Sequence, residues 1–146
     1  MASAKLLFLC TGNSCRSQMA EGWARHLGGD RVSVSSAGIE SHGKNPRAIE
    51  VMQEVGLDIS TQASTRLTND MLTSADILVT VCGHAAEHCP VVPADVRREH
   101  WPLEDPARAT GPEYEIMAVF RASRDEIRLR VAALLRRLDD INKPNG

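Results

Sequence analysis

The chain has 146 residues, 42% of them hydrophobic, enough to build the core of one domain spanning residues 1–146. Its 17 basic and 19 acidic side chains give a net charge of −2 with no single-sign run, and aromatics make up only 3%; together these argue against nucleic acid or a membrane surface as partner. The apolar run near the N-terminus, Leu6 to Leu9, is too short for a signal peptide or a membrane span. A cytoplasmic location is therefore expected, and there Cys10, Cys15, Cys82 and Cys89 need a reason other than structural disulfides.

Residues 5–9 (Lys-Leu-Leu-Phe-Leu) read as a buried strand. An eight-residue loop, Cys10-Thr11-Gly12-Asn13-Ser14-Cys15-Arg16-Ser17, feeds an amphipathic helix with Met19, Ala20, Trp23, Ala24 and Leu27 on one face. After a turn at Gly28-Gly29-Asp30, residues 31–37 alternate as a strand, and residues 38–44 form a loop containing His42. Asn45 and Pro46 are an N-cap and first-turn pair opening a helix whose buried stripe is expected to be Ile49, Met52 and Val55, with Gly56 as its stop. Residues 58–66 are irregular, residues 68–73 suit a short helix, residues 76–81 a buried strand and residues 96–101 an edge strand. Gly111-Pro112 opens the last helix, which places Ile127, Val131, Leu134, Leu135 and Leu138 at core spacing, and residues 142–146 read as a frayed end. Strands alternating with helices predict a four-stranded parallel sheet with helices on both faces. Ligands in such sheets bind beyond the carboxyl ends of the strands, and Cys10 and Cys82 both fall on that rim.

A loop between a strand end and a helix start directs backbone N–H groups and a helix dipole at one point, which suits an oxyanion. Gly12 allows a tight turn, Asn13 tolerates a left-handed backbone and Arg16 offers a planar fork for tetrahedral oxyanion oxygens. No acidic residue occurs between Lys5 and Glu21 to repel the anion. A Cys10 thiol facing those donors and the Ser17 hydroxyl is set up as a thiolate nucleophile aimed at the central atom. The sequence Cys10 to Ser17 resembles the phosphate loop of the low-molecular-weight tyrosine phosphatase fold, which houses phosphatases and thioredoxin-coupled arsenate reductases. The loop alone does not separate the two.

Residues 82–89, Cys-Gly-His-Ala-Ala-Glu-His-Cys, hold the second thiol pair. If they are helical, Cys82 and Cys89 stand roughly 10 Å apart along the axis, whereas a disulfide needs Cα atoms within about 7 Å. The segment must unwind for them to bond. Gly83 and Pro90 bound it with residues of low helix stability, which fits a redox relay. Two other readings stay open on the residues alone. Cys82, His84, His88 and Cys89 are zinc-ligand types, though their spacing does not make a half-site and they could hardly converge on one ion; or the thiols are spare apolar side chains.

The pair, taken with the loop, resembles the thioredoxin-coupled arsenate reductases. The resemblance implies that Cys10 attacks arsenate, Cys82 attacks the adduct, and Cys89 then forms a Cys82–Cys89 disulfide that thioredoxin reduces. It implies no tightly bound cofactor beyond that redox-active disulfide. Asp105-Pro106 resembles the general-acid loop of both subfamilies, with Asp105 protonating the departing oxygen, a role worth typically ~10²–10⁴-fold. Ala107-Arg108-Ala109 follows in place of the aromatics that would flank an aryl phosphate, which points to a small inorganic oxyanion. Cys15 reads as packing or as an oxidation liability. Asn13, Glu21 and Ser36 resemble a weak monovalent-cation site, but Ala63 and Thr65 stand where such members place a carboxylate. His26, His42 and His100 have no evident partner. A monomer is expected. The alternatives are a phosphatase whose cysteine pair is protective, and a redox or oxyanion sensor.

Overall fold

Leu6, Leu7, Phe8 and Leu9 are all buried, side chains of both parities alike. Alternate residues of a strand point to opposite faces, so β1 (Ala4–Cys10) is covered on both sides and sits inside the sheet. The computed structural model describes residues 3–89 and 92–142. Along it follow α1 (Arg16–Gly28), β2 (Val32–Gly38), α2 (Pro46–Glu54), α3 (Asn69–Ser74), β3 (Ile77–Thr80), α4 (Gly83–His88), β4 (Arg97–His100) and α5 (Glu113–Asn142). The sheet order is β2-β1-β3-β4, with every pairing parallel.

That order fixes where a site can form. The chain leaves β1 in one direction to reach β2 and crosses back over β1 to reach β3. With right-handed crossovers the two connections cover opposite faces of the sheet. They part at the carboxyl end of β1, the switch point where open parallel sheets bind ligands. Cys10 is the last residue of β1.

The helices begin where side chains can cap them. Asn45 Oδ1 accepts from the Arg47 N–H at 2.9 Å with Pro46 in the first turn, as expected. Thr68 Oγ1 accepts from the Met71 N–H at 3.3 Å. The buried stripe of α2 differs from the expected one. Ala48, Val51 and Met52 are buried, Ile49 is only half-buried, and Val55 is 40% exposed. The helix stops at Glu54, so Val55 lies beyond the stripe, and the core-facing side is set by the neighbouring α1 and α5. The contacts among these three are specific. Trp23 Nε1 donates to the Arg124 carbonyl at 3.1 Å, and buried Arg124 reaches the Val51 carbonyl at 2.9 Å. Ile127, Val131, Leu134, Leu135 and Leu138 line the inner side of α5 as their spacing predicts. No helix among the described residues is long and apolar enough to cross a membrane. The expected helix stop at Pro90 and the tail at residues 143–146 lie outside the described residues.

Candidate active site

Each carbonyl from residue 10 to residue 15 is held from outside the loop that joins β1 to α1. Cys10, Thr11, Gly12 and Ser14 accept from the N–H groups of Ile39, Glu40, His42 and Asn45. The Asn13 carbonyl accepts from Gln18 Nε2 and Ser64 Oγ, and that of Cys15 from the Met19 N–H. In a planar trans peptide, C=O and the following N–H point in opposite directions. Carbonyls turned outward therefore turn the N–H groups of the next residues inward, toward one cavity. Arg16 and Ser17 add the unpaired first-turn N–H groups of α1. Gly38 makes this packing possible, since a Cβ there would fall 2.1 Å from the Glu40 carbonyl oxygen and 2.7 Å from the Asn13 nitrogen.

Asn13 is the hub of the loop. It is fully buried and is the single non-glycine residue with positive φ (51°) among the described residues. Its amide uses all four of its hydrogen-bonding positions. Nδ2 donates to Ser17 Oγ at 2.8 Å and to Ser36 Oγ at 2.9 Å, while Oδ1 accepts from the Thr65 N–H at 2.8 Å and from Gln18 Nε2 at 3.1 Å. The left-handed turn is thus Asn13's, as its side chain permits. Gly12 has a different reason to be glycine: a Cβ there would lie 2.3 Å from His42 Nδ1.

Cys10 Sγ receives the Asn13 N–H at 3.2 Å and lies 2.8 Å from Ser17 Oγ. The Asn13 amide donates to Ser17 Oγ, and the Ser17 hydroxyl hydrogen remains available to the sulfur. The loop thus sets a backbone N–H and a hydroxyl against the sulfur. Arg16 is buried with Nη1 fastened to the Leu103 carbonyl at 2.9 Å, while Nη2 lies 3.7 Å from Asp105 Oδ2. The guanidinium is thereby locked with one edge on the main chain and the other toward the cavity. Asp105 Oδ1 accepts from the Ala107 N–H at 3.0 Å, held there by Pro106. A cavity of about 730 Å³ is lined by Cys10, Thr11, Gly12, Ser14, Cys15, Arg16, Cys82 and Asp105, with His42, Gly83, Leu103, Glu104 and Arg108 completing the wall. Asn13 and Ser17 lie behind it.

The other thiols divide by position. Cys82 is buried, and its Sγ receives the Ala85 N–H at 3.3 Å as the N-cap of α4 and lies 3.2 Å from Thr11 Oγ1. Cys89 follows the last residue of α4 and is half-buried; partial burial pushes its thiol up, and Arg98 pulls it partly back. All four cysteines are free thiols. Burial pushes Cys15 up to about 11, only partly offset by the Ser14 hydroxyl.

Asn13, Glu21 and Ser36, the expected weak cation cluster, do come together, as a run of hydrogen bonds from Asn13 through Ser36 to Glu21. Ser36 Oγ donates to Glu21 Oε1 at 2.6 Å, and Arg25 pairs with Glu21 Oε2 at 2.9 Å. The Asn13 oxygen accepts from the Thr65 N–H and Gln18 Nε2, and Arg25 lies against the Glu21 carboxylate. Among the described residues no group of three or more His, Cys, Asp or Glu is placed to hold a metal ion. Gln18, Gln62 and Ser64 are the site residues the sequence reading missed. Gln62 holds Gln18 from a distant loop at 2.8 Å, and only a polar residue early in a buried helix face hinted at it.

The profile of the low molecular weight phosphotyrosine protein phosphatase family matches residues 5–143. An arsenate reductase of Bacillus subtilis (strain 168) is 57% identical over 127 residues, 87% of this chain and 91% of that protein. The solved structure of an arsenate reductase in its phosphate-binding state matches with a TM-score of 0.76 at 37% identity, over 92% of this chain and 98% of the other. A thioredoxin-dependent arsenate reductase of Corynebacterium glutamicum matches with a TM-score of 0.65 at 27% identity, over 90% of this chain and 63% of the other.

Proposed function

The chain belongs to the low molecular weight phosphotyrosine protein phosphatase family, and from that premise we propose that it is a thioredoxin-coupled arsenate reductase acting as a single-domain, cytoplasmic monomer. One observation carries the reading: Cys10 and Cys82 line the same cavity, and Cys89 stands at the far end of the short helix that Cys82 caps. A hydrolase needs only the first of these thiols. Three in series, from a buried loop to a half-exposed helix end, suit the export of an oxidation.

Arsenate binds with three oxygens on the inward N–H groups and Arg16. The Cys10 thiolate attacks arsenic, an S–As bond forms, and the outward oxygen leaves as water with a proton from Asp105. Cys82, as a thiolate supported by Thr11 and the Ala85 N–H, attacks Cys10 Sγ. An S–S bond forms, the S–As bond breaks, and its electron pair stays on arsenic. Arsenic(V) becomes arsenic(III) and leaves as arsenite, while two thiols become one disulfide. Cys89 then attacks Cys82, Cys10 leaves as a thiolate, and the Cys82–Cys89 disulfide forms once α4 has unwound. Thioredoxin, named for the related Corynebacterium protein, supplies two electrons and restores both thiols.

Phosphate-ester cleavage needs only Cys10, Arg16 and Asp105, which share this cavity, so slow ester hydrolysis is expected alongside. The test is arsenate-dependent NADPH consumption with thioredoxin and thioredoxin reductase. Cys10→Ser, Cys82→Ser and Cys89→Ser should each abolish turnover. Undiminished turnover in Cys82→Ser would reject the relay, and no turnover in the wild type would leave the phosphatase reading.

A further inference from the structure

His42 is placed where a solvated loop histidine would not need to be. Its N–H donates to the Gly12 carbonyl at 2.9 Å, and Ser64 fastens the backbone on either side, through the Ser41 hydroxyl and the Gly43 N–H. The side chain packs against Gly12, where a Cβ would lie 2.3 Å from Nδ1 and 2.8 Å from Cγ. One ring nitrogen, Nε2, is 2.6 Å from Glu40 Oε2. The other, Nδ1, has no hydrogen-bond partner among the described residues, and His42 is one of the residues lining the cavity of Cys10, Arg16 and Asp105. With both ring nitrogens carrying protons, Nε2 donates to Glu40 and Nδ1 is left to donate.

The inner oxygens of a tetrahedral anion are consumed by the loop amides and Arg16. What distinguishes a free oxyanion from its organic ester is the fourth, outward oxygen, which in the ester carries carbon. We propose that His42, oriented by Glu40, is a specificity-determining residue that donates from Nδ1 to this outward oxygen and so selects inorganic tetrahedral oxyanions over their esters and organic analogues. Asp105 lines the same cavity, with Arg16, Glu104 and Arg108 as the other charged groups there. This deepens the arsenate reductase reading, on which the identity of the natural anion rests.

The test needs no turnover. The reduced full-length protein is titrated by calorimetry with inorganic phosphate and with phenylphosphonate, which keeps three oxygens but replaces the fourth with an aryl carbon. His42→Gln should weaken phosphate binding about tenfold, the scale of one hydrogen bond to a charged group, and phenylphosphonate binding by less than about twofold on the same reasoning. Glu40→Gln should fall between wild type and His42→Gln. Equal weakening of both ligands would mean that His42 merely shapes the loop, and no weakening of phosphate would mean that it does not touch the anion; either result overturns the proposal. Arsenate turnover by the wild type is read separately, so failure of the reductase reading leaves the titration interpretable.

Discussion

Asn13 Nδ2 donates to Ser17 Oγ at 2.8 Å and so fixes the hydroxyl that lies against the nucleophile. A hydroxyl oxygen that has accepted from an amide keeps its hydrogen for another acceptor, and the neighbour in reach is Cys10 Sγ at 2.8 Å. The nucleophile therefore depends on a side chain that never enters the cavity. Asn13→Gly isolates this effect, because glycine adopts the φ of 51° without strain and removes only the side-chain bonds. Leaving the partners of a buried amide unsatisfied costs about 1–3 kcal/mol per group. We expect kcat/KM for arsenate to fall by about 10²-fold, with a lower melting temperature. Steady-state kinetics and a thermal melt check both, and unchanged kinetics would show that Ser17 needs no orientation.

How much of this was legible beforehand follows from the range of each interaction. Cys10, Arg16, Asn13 and Ser17 lie within eight residues, so the loop chemistry could be read from spacing, and the alternation of strands and helices gave the sheet. The outer support was not readable, because Gln62, Ser64 and Thr65 reach Asn13 and Gln18 from some fifty residues away. The buried stripe of α2 was misplaced for a related reason: periodicity marks an apolar side, while α1 and α5 determine which part of it is covered. His42 looked partnerless because its partner, Glu40, is two residues off on the same loop and only the turn of the backbone brings them together.

Thr11 carries the link between the first two thiols, with its hydroxyl 3.2 Å from Cys82 Sγ. Thr11→Val preserves shape and removes the hydroxyl. The loop amides that bind the anion are untouched, so KM for arsenate should stay near its wild-type value. The attack by Cys82 should slow, and kcat should fall about tenfold, as for a lost hydrogen bond to a developing thiolate. Hydrolysis of p-nitrophenyl phosphate, which does not use Cys82, should be spared. An equal loss in both assays would place Thr11 in anion binding instead.

Cys15 makes stability depend on alkaline pH. Burial holds its proton to about 11 in the folded protein, against 9.0 for the unperturbed thiol. Between those values the folded state binds more protons than the unfolded chain, so stability falls as pH rises, and it is unaffected by this group below pH 9. The loss is about 2–3 kcal/mol across the window. Urea unfolding of wild type and Cys15→Ala at several values from about pH 8 to 11 separates this thiol from other titrating groups. The stability difference between the two proteins should change by that amount. A constant difference would mean that Cys15 ionises as freely folded as unfolded.

Cys89 is the last thiol and the only half-exposed one of the four. Without it, the first two steps can still run: Cys10 takes arsenate, Cys82 takes Cys10, and arsenite departs. The disulfide between Cys10 and Cys82 then has no resolving thiol, and it lies in a cavity where a protein reductant has little access. Cys89→Ser should therefore release one arsenite per protein and stop. Intact mass should drop by two hydrogens, with Cys10 and Cys82 joined in the peptide map and Cys15 free. Mixing reduced Cys89→Ser with excess arsenate and quantifying arsenite tests this directly. Continued turnover would mean that the reductant reaches Cys82 without help. No arsenite at all would mean that Cys89 acts before arsenic leaves, which would reverse the order of the relay.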